Sequence, residues 1–404
     1  MSSESENPGD EVPTAQCRVC KTDVPAGEYC GLCGCHLTPR RVEGPDWLRW
    51  RDYGASPDEN LLTFSLASSL FPHLPQRSRT AFRIGLLLVL CALVVFTWLR
   101  LPAALITVSS LGLPLLFVLY LRESDAFRDF PISTLVLTVV LGVVLGVGWV
   151  TLTGAAVARA YSIPLGAAVA GEQLVRDGIG VPLGGMILSL APAIAVRLVA
   201  PSSRESLDGF MIGTLSTLSF LAAATLTRLA PQFRAGVVSK RPMESIMVEA
   251  GIRGVAVPLI AAAAGGLIGA ALWFRRPESK KHQHPWVVRL VLVGLALTIM
   301  AVHLSLGLID VARFPQLLML ALYVALALLA LFVLRIGLHL ALLHEAHDEI
   351  QSDEPLLCPH CGHVVPDMAF CPACGVATRA SSRSSRRQRR EARPVRSQPG
   401  PESP

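Results

Sequence analysis

Eight of the ten cysteines stand in a repeated spacing that could hold metal. Cys17 and Cys20 are two residues apart, nine residues follow, and Cys30 and Cys33 repeat the pair. Near the other end, Cys358, Cys361, Cys371 and Cys374 have the same spacing. Val24 with Val365, Pro25 with Pro366, Tyr29 with Phe370 and Gly34 with Gly375 coincide at the same offset, which marks an internal repeat. Two residues between cysteines let one backbone knuckle present two thiolates to a tetrahedral Zn²⁺ at about 2.3 Å. A glycine after the second cysteine of a pair permits the tight turn that brings amide donors to sulfur. The aromatic before the third cysteine covers a unit too small to build another core.

Four thiolates close a coordination sphere, so the expectation is two structural Zn²⁺ ions, one per quartet, and no open position for catalysis. Metal binding is then folding free energy, roughly 10–16 kcal/mol apparent for such sites. Cys35 and His36 adjoin the first quartet and blur which ligands it uses. Iron–sulfur ligation or a redox pair is the competing chemistry, and paired knuckles disfavour both. The two units resemble the small zinc-ribbon modules at the termini of many prokaryotic membrane proteins. That resemblance implies that they bind partners or pair with each other.

The chain between the quartets is of another kind. The whole sequence is 52% hydrophobic and 16% charged, with a mean hydropathy of +0.50, and the charge deficit is concentrated in residues 84–343. Soluble domains carry about a quarter charged residues. One water-soluble globule is excluded, and the pattern indicates an all-α polytopic membrane protein with small soluble ends. Stretches of about 20 apolar residues place spanning segments at 82–99, 101–121, 132–157, 178–200, 209–230, 254–274, 286–309 and 315–343. Arg335 and His339 suggest that the last one leaves the bilayer as a helix reaching about Ile350. Met1–Glu11 is acidic and lacks an apolar stretch, so the first spanning segment is expected to act as the insertion signal.

The expected organisation is a disordered 1–16, ribbon 17–38, connector 39–81, membrane domain 82–343, linker helix 344–357, ribbon 358–376 and a disordered basic tail 377–404. Within the connector, Leu61, Leu62, Phe64, Leu66, Leu70 and Phe71 suit an amphipathic helix on the membrane surface or a short helix packed on the protein. Eight passes put both termini on one side. Arg77, Arg79, Arg83 and the arginine tail place that side in the cytoplasm of the cell membrane, which is also the reducing side that thiolates need. The loop 231–253 conflicts with this, because Arg234, Lys240, Arg241 and Arg253 would lie outside. Arginine outnumbers lysine 32 to 4, which fits the GC-rich codons of a bacterial source.

Asp208-Gly209-Phe-Met-Ile-Gly213, with Phe220 seven residues on, opens the fifth segment. As bare chemistry, an aspartate there is an N-cap and glycines at that density are helix-packing residues. The arrangement nevertheless resembles the PrsW family of intramembrane proteases, which clip anti-sigma factors. That family shows DGxxxG, a phenylalanine, and a glutamate four residues later. The resemblance covers about 130–275, with Gly265, Gly266 and Gly269 suiting the later glycine-rich helix.

The family's catalytic groups do not carry over. Ala224 stands at the glutamate, Gly184–Leu188 where EExxK is due, and Pro258 at the histidine. Glu172-Gln173-Leu-Val-Arg176 is a loose imitation in a polar loop. Segments four to six, so bounded, hold no Glu or His. Intramembrane ionisable groups cost at least ~2.5–3.5 kcal/mol each and are kept where they function. The expectation is therefore a protease-like scaffold or sensor without protease chemistry, whose ribbons recruit a cytoplasmic protein partner or dock on each other. The rivals are an active protease with Glu172 as its displaced acid, and a transporter.

The basic tail suits anionic lipid headgroups at about 1 kcal/mol per basic residue, and secondarily nucleic acid. His344, His347 and Asp348 share a helical face and are read as part of a solvated linker rather than a metal site. His282 and His284 are read as solvated. His303 is expected to bond a backbone carbonyl, with a proton relay as the alternative. Asp310 is expected to cap its helix or pair with Arg313.

Overall fold

The computed structural model describes residues 13–38 without Val19, 65–160 without His73, Pro75 and Asp125, 178–199, 205–234, 242–275, 285–345 without Arg313, 355–378 without Pro359, and 382–393. The chain forms two compact units. One joins both ends of the chain, Met1–Thr63 and His347–Pro404, and the other is Phe64–Ala346.

In the terminal unit, β1 (Thr14–Gln16) pairs antiparallel with β2 (Asp23–Pro25), Ala15 facing Val24. The membrane unit follows: α1 (Leu66–Leu70), α2 (Gln76–Trp98), α3 (Pro102–Glu123), α4 (Ala126–Asp129), α5 (Ile132–Ala160), α6 (Val181–Val199) and α7 (Ser206–Leu229). Then α8 (Met243–Gly251) runs through a π-turn at Ile252–Ala256 into α9 (Val257–Trp273), and α10 (Pro285–Ala312) and α11 (Gln316–His344) complete it. Back in the terminal unit, β3 (Pro355–Leu357) pairs with β4 (Val364–Pro366), and α12 (Arg383–Glu391) ends the described chain.

Among the described residues, eight helical stretches are long and apolar enough to cross a bilayer, and each overlaps an expected segment. This is a multi-pass membrane protein. Leu87, Leu88, Val144 and Leu297 are exposed on its flanks, where only lipid would cover them. The sixth stretch differs from expectation, since it begins at Met243 rather than 254. Nothing between Met243 and Val257 breaks a helix, so half of the supposed loop 231–253 is helix and carries Glu244, Glu249 and Arg253. Lys240 and Arg241 lie outside the described residues.

Two central helices organise the bundle. α7 and α9 are the most buried spans, and α5, α6, α10 and α11 pack round them. Gly209 and Gly213 of α7 face Gly265 and Gly269 of α9 in reciprocal backbone contact. A Cβ on Gly213 would collide with the Gly265 carbonyl oxygen, and one on Gly269 with that of Gly209. Small residues four apart on both helices permit this approach, which packing favours inside a bilayer. Gly142 and Gly146 of α5 repeat the device against Ser216 and Phe220.

At the domain edges one open alternative is decided and two expectations are corrected. Of the connector's apolar residues, Leu61, Leu62 and Phe64 lie outside the described residues. In the described part Ser68, Ser69, Leu70 and Phe71 are buried against the protein while Leu66 stays exposed, so α1 is the packed short helix of the two alternatives. Phe71 packs on Phe82 and Tyr120, and the buried Arg335 donates to Ser68 Oγ at 3.0 Å, which gives a guanidinium N–H a partner inside the bundle. The helix of the last span ends at His344, with Glu345 already extended, and 355–357 is a strand, so no helix fills 344–357. The tail holds α12, capped where Ser382 Oγ accepts from Ser385 N. Arg389 donates to the Leu357 and Thr378 carbonyls and Arg390 pairs with Asp367, which explains why this arginine run is ordered.

Candidate metal centres and a membrane cavity

All four cysteine pairs share one knuckle. The first cysteine's carbonyl accepts from the N–H four residues on (Lys21, Gly34, Gly362, Gly375), and its own N–H donates to the carbonyl five residues on. That closure puts the fourth residue at positive φ: Gly34, Gly362 and Gly375 lie at 72°, 70° and 71°, and Lys21 at 57°. Glycine is the natural occupant there, so Lys21 is the strained member.

The knuckles converge the sulfurs as the spacing implied. Cys17, Cys20, Cys30 and Cys33 form one quartet and Cys358, Cys361, Cys371 and Cys374 the other, with every Sγ within 4.8 Å of its fellows. Cys17–Cys33 and Cys20–Cys30 are 3.6 and 3.7 Å apart, and Cys358–Cys374 and Cys361–Cys371 are 3.7 and 3.9 Å. A tetrahedron of sulfurs at Zn–S ≈ 2.3 Å has edges of about 3.8 Å. Each quartet could therefore hold a tetrahedral metal ion without rearrangement. Hydrogen bonds from Cys33 and Cys35 pull the Cys30 thiol well below its usual range, and those from Cys371 and Cys374 do the same for Cys358.

The structure also places the two neighbours of the first quartet. His36 lies on Tyr29 with ring centroids 4.2 Å apart, joined by a backbone bridge. Cys35 Sγ is buried 3.3 Å from both Cys17 and Cys33, where the second ribbon has Val376 at the equivalent position. The first site thus has a fifth sulfur at its face.

The ribbons are docked on each other about a local pseudo-twofold. Tyr29 N donates to the Pro372 carbonyl at 3.0 Å, and Phe370 N to the Gly31 carbonyl at 2.8 Å. Each bond becomes the other when Tyr29 is exchanged with Phe370 and Gly31 with Pro372. Met368 enters the core of the first ribbon with Cys17, Val24 and Cys30. Gly31 leaves room for it, and Gly27 leaves room for Pro372, whose carbonyl oxygen would lie 2.7 Å from a Cβ there. No local sequence signal marks this interface.

No protein-family model, curated protein or solved structure matches this chain. The residues that carry the protease resemblance have packing roles here. Glu205 and Asp208 form a capping box at the start of α7, and Gly209 and Gly213 make the crossing with α9. Glu172 lies outside the described residues, as do His282, His284, His347 and Asp348.

The membrane unit holds a cavity of about 740 Å³ among α5, α6, α7, α9, α10 and α11. Ala224 lines it. So do Arg228, Glu249, Arg253, His303 and Asp310; Arg253 was expected in the loop 231–253 and Glu249 carried no signal, because the sixth span begins earlier than its apolar run. Asp310 accepts from Tyr323 Oη at 2.6 Å, and its expected partner Arg313 is outside the described residues. Among the described residues His303 Nδ1 has no hydrogen-bond partner, so the expected bond to a backbone carbonyl is not made through that nitrogen.

Proposed function

We propose that this protein is a scaffold or sensor of the cell membrane, whose paired terminal ribbons form one zinc-dependent cytoplasmic module that binds a protein partner. The reciprocal Tyr29–Pro372 and Phe370–Gly31 bonds carry this reading, because they join the two ends of the chain through units that fold on metal. Two structural Zn²⁺ ions fit the sulfur tetrahedra, and thiolate sites of this size favour zinc over harder ions. Both termini then lie in the cytoplasm, where thiols stay reduced.

The membrane core is a protease-like scaffold on this reading, since Ala224 puts a methyl group where the PrsW pattern has its acid. Arg386, Arg389 and Arg390 are engaged on or buried against the second ribbon, so anionic lipid or nucleic acid would meet the exposed Arg387 and the remaining tail. The cavity favours one second reading, a transporter, which concentration-dependent solute flux in proteoliposomes would support.

The test is metal content of the detergent-purified protein, wild type and with Cys358, Cys361, Cys371 and Cys374 changed to Ser, together with crosslinking of both proteins in cells. Two zinc equivalents falling to one, with loss of a crosslinked cytoplasmic protein, support the proposal. Iron, or no metal, overturns the zinc reading, and an unchanged crosslink overturns the scaffold role.

A further inference from the structure

We infer that the membrane unit binds a single-chain amphiphile with an anionic headgroup, its chain in the cavity and its headgroup on Arg228. The inference concerns the membrane unit alone and does not depend on the ribbons. At about 740 Å³ the cavity falls within the roughly 300–1,000 Å³ of small-molecule sites. It is far larger than the voids left by ordinary packing.

The cavity's polar groups are segregated. Arg228, Glu249, Arg253 and Asp310 come from the C-terminal ends of α7 and α10 and from the α8 end of the sixth span, and together make a charged mouth. From Arg228 the lining runs back along α7 to Thr217, roughly 16 Å at 1.5 Å per residue. That is about half the hydrocarbon thickness. Trp149, Phe220, Leu221 and Leu306 make this inner part mostly apolar.

The charges at the mouth are unequally engaged. Arg253 Nε lies 3.4 Å from a Glu249 carboxylate oxygen, and Asp310 accepts from Tyr323. Arg228 makes no hydrogen bond or ion pair among the described residues. A guanidinium at the rim of an apolar space favours a carboxylate or phosphate, which it can grip with two N–H donors. Below the mouth, the buried Nδ1 of His303 offers a second polar group that no described residue satisfies. The wall is also locally irregular. The π-turn at Ile252–Ala256 supplies Ile252 and Arg253 to the lining, and such turns concentrate at functional sites. An anionic rim contact above an apolar slot about one leaflet deep describes a fatty acid or a lysophospholipid. The two share this chemistry and differ in headgroup.

Trp149 in the wall allows a direct test by quenching with brominated probes. Dibromostearic acid, its methyl ester and a brominated lysophosphatidic acid are titrated into purified protein and into Trp149→Phe, and the difference isolates the cavity tryptophan. Saturable quenching by the acid, at least tenfold weaker for the ester and in Arg228→Leu, supports the site. Tighter quenching by the phosphate probe assigns the lysolipid, and by the acid the fatty acid. Quenching that never saturates, or that is equal for acid and ester, overturns the inference. So does no quenching of Trp149, which would mean that the chain's own segment fills the space. If Arg228→Leu does not fold, Ala224→Phe replaces it: saturable quenching must be lost when the ring occupies the cavity, and its survival overturns the inference.

Discussion

Tyr29 and Phe370 occupy equivalent positions in the two ribbons, and each donates its backbone N–H across the interface to the other ribbon. The interface is therefore a repeat paired with itself, and its closeness depends on Gly27 and Gly31 of the first ribbon and on Gly375 of the second, which lies against the Tyr29 ring.

That closeness predicts a selective defect. In Gly27→Val the new side chain meets the backbone of Pro372, which cannot swing aside. Two backbone hydrogen bonds at about 0.5–1.5 kcal/mol each are lost while both cysteine quartets remain. Hydrogen exchange should accelerate about tenfold or more at Tyr29 and Phe370, with two metal equivalents retained. Unchanged exchange at both amides would show that the ribbons are not held together this way.

The positive-φ position of each knuckle allows a paired test of backbone strain. Gly362→Ala meets no neighbour, so its cost is conformational alone, about 1–2 kcal/mol. Lys21→Gly removes strain at the matching position of the first ribbon and should stabilise it by up to about 1 kcal/mol. Chelator titration should show metal leaving the second ribbon more readily in the first variant, and leaving the first ribbon less readily in the other. The opposite order would refute the knuckle assignment.

At the α7–α9 crossing, Gly213→Ile and Gly265→Ile should each destabilise the membrane unit by more than about 3 kcal/mol, because the added carbons meet backbone. Gly148→Ala and Gly294→Ala, where nothing lies within 4 Å, serve as controls. Thermal melting in detergent separates the two classes. Equal melting temperatures would mean that the glycines do not form the crossing.

Glu345 gives a pH dependence of known sign. Burial pushes its carboxyl up to about 8, above the ordinary 4.5, although Ser206 N and Oγ donate to it at 2.7 and 3.0 Å. A folded pKa above the unfolded one means that folding takes up a proton. This contribution is complete below about pH 4.5 and is lost as pH rises through about 8. The melting temperature of wild type should therefore fall across that window more than that of Glu345→Gln. Parallel profiles would show that the carboxyl is solvated in the native protein.

What the sequence by itself determined is local and periodic. Two residues between cysteines dictate a knuckle, and four cysteines at matched spacing dictate a cluster, so all eight cysteines of the two quartets were legible. Runs of apolar residues long enough for a bilayer dictated the eight spans, and their ends were least well marked, as Met243 shows. The tertiary structure decided everything that needs two distant segments to fit. Met368 in the core of the first ribbon, the bond from Arg335 to Ser68, and the gathering of Arg228, Glu249, Asp310 and His303 round one cavity have no local pattern. Each depends on complementary shape and on a polar partner contributed from elsewhere in the chain. Coordination number and bilayer thickness act on neighbours in sequence, whereas packing and charge satisfaction act on neighbours in space.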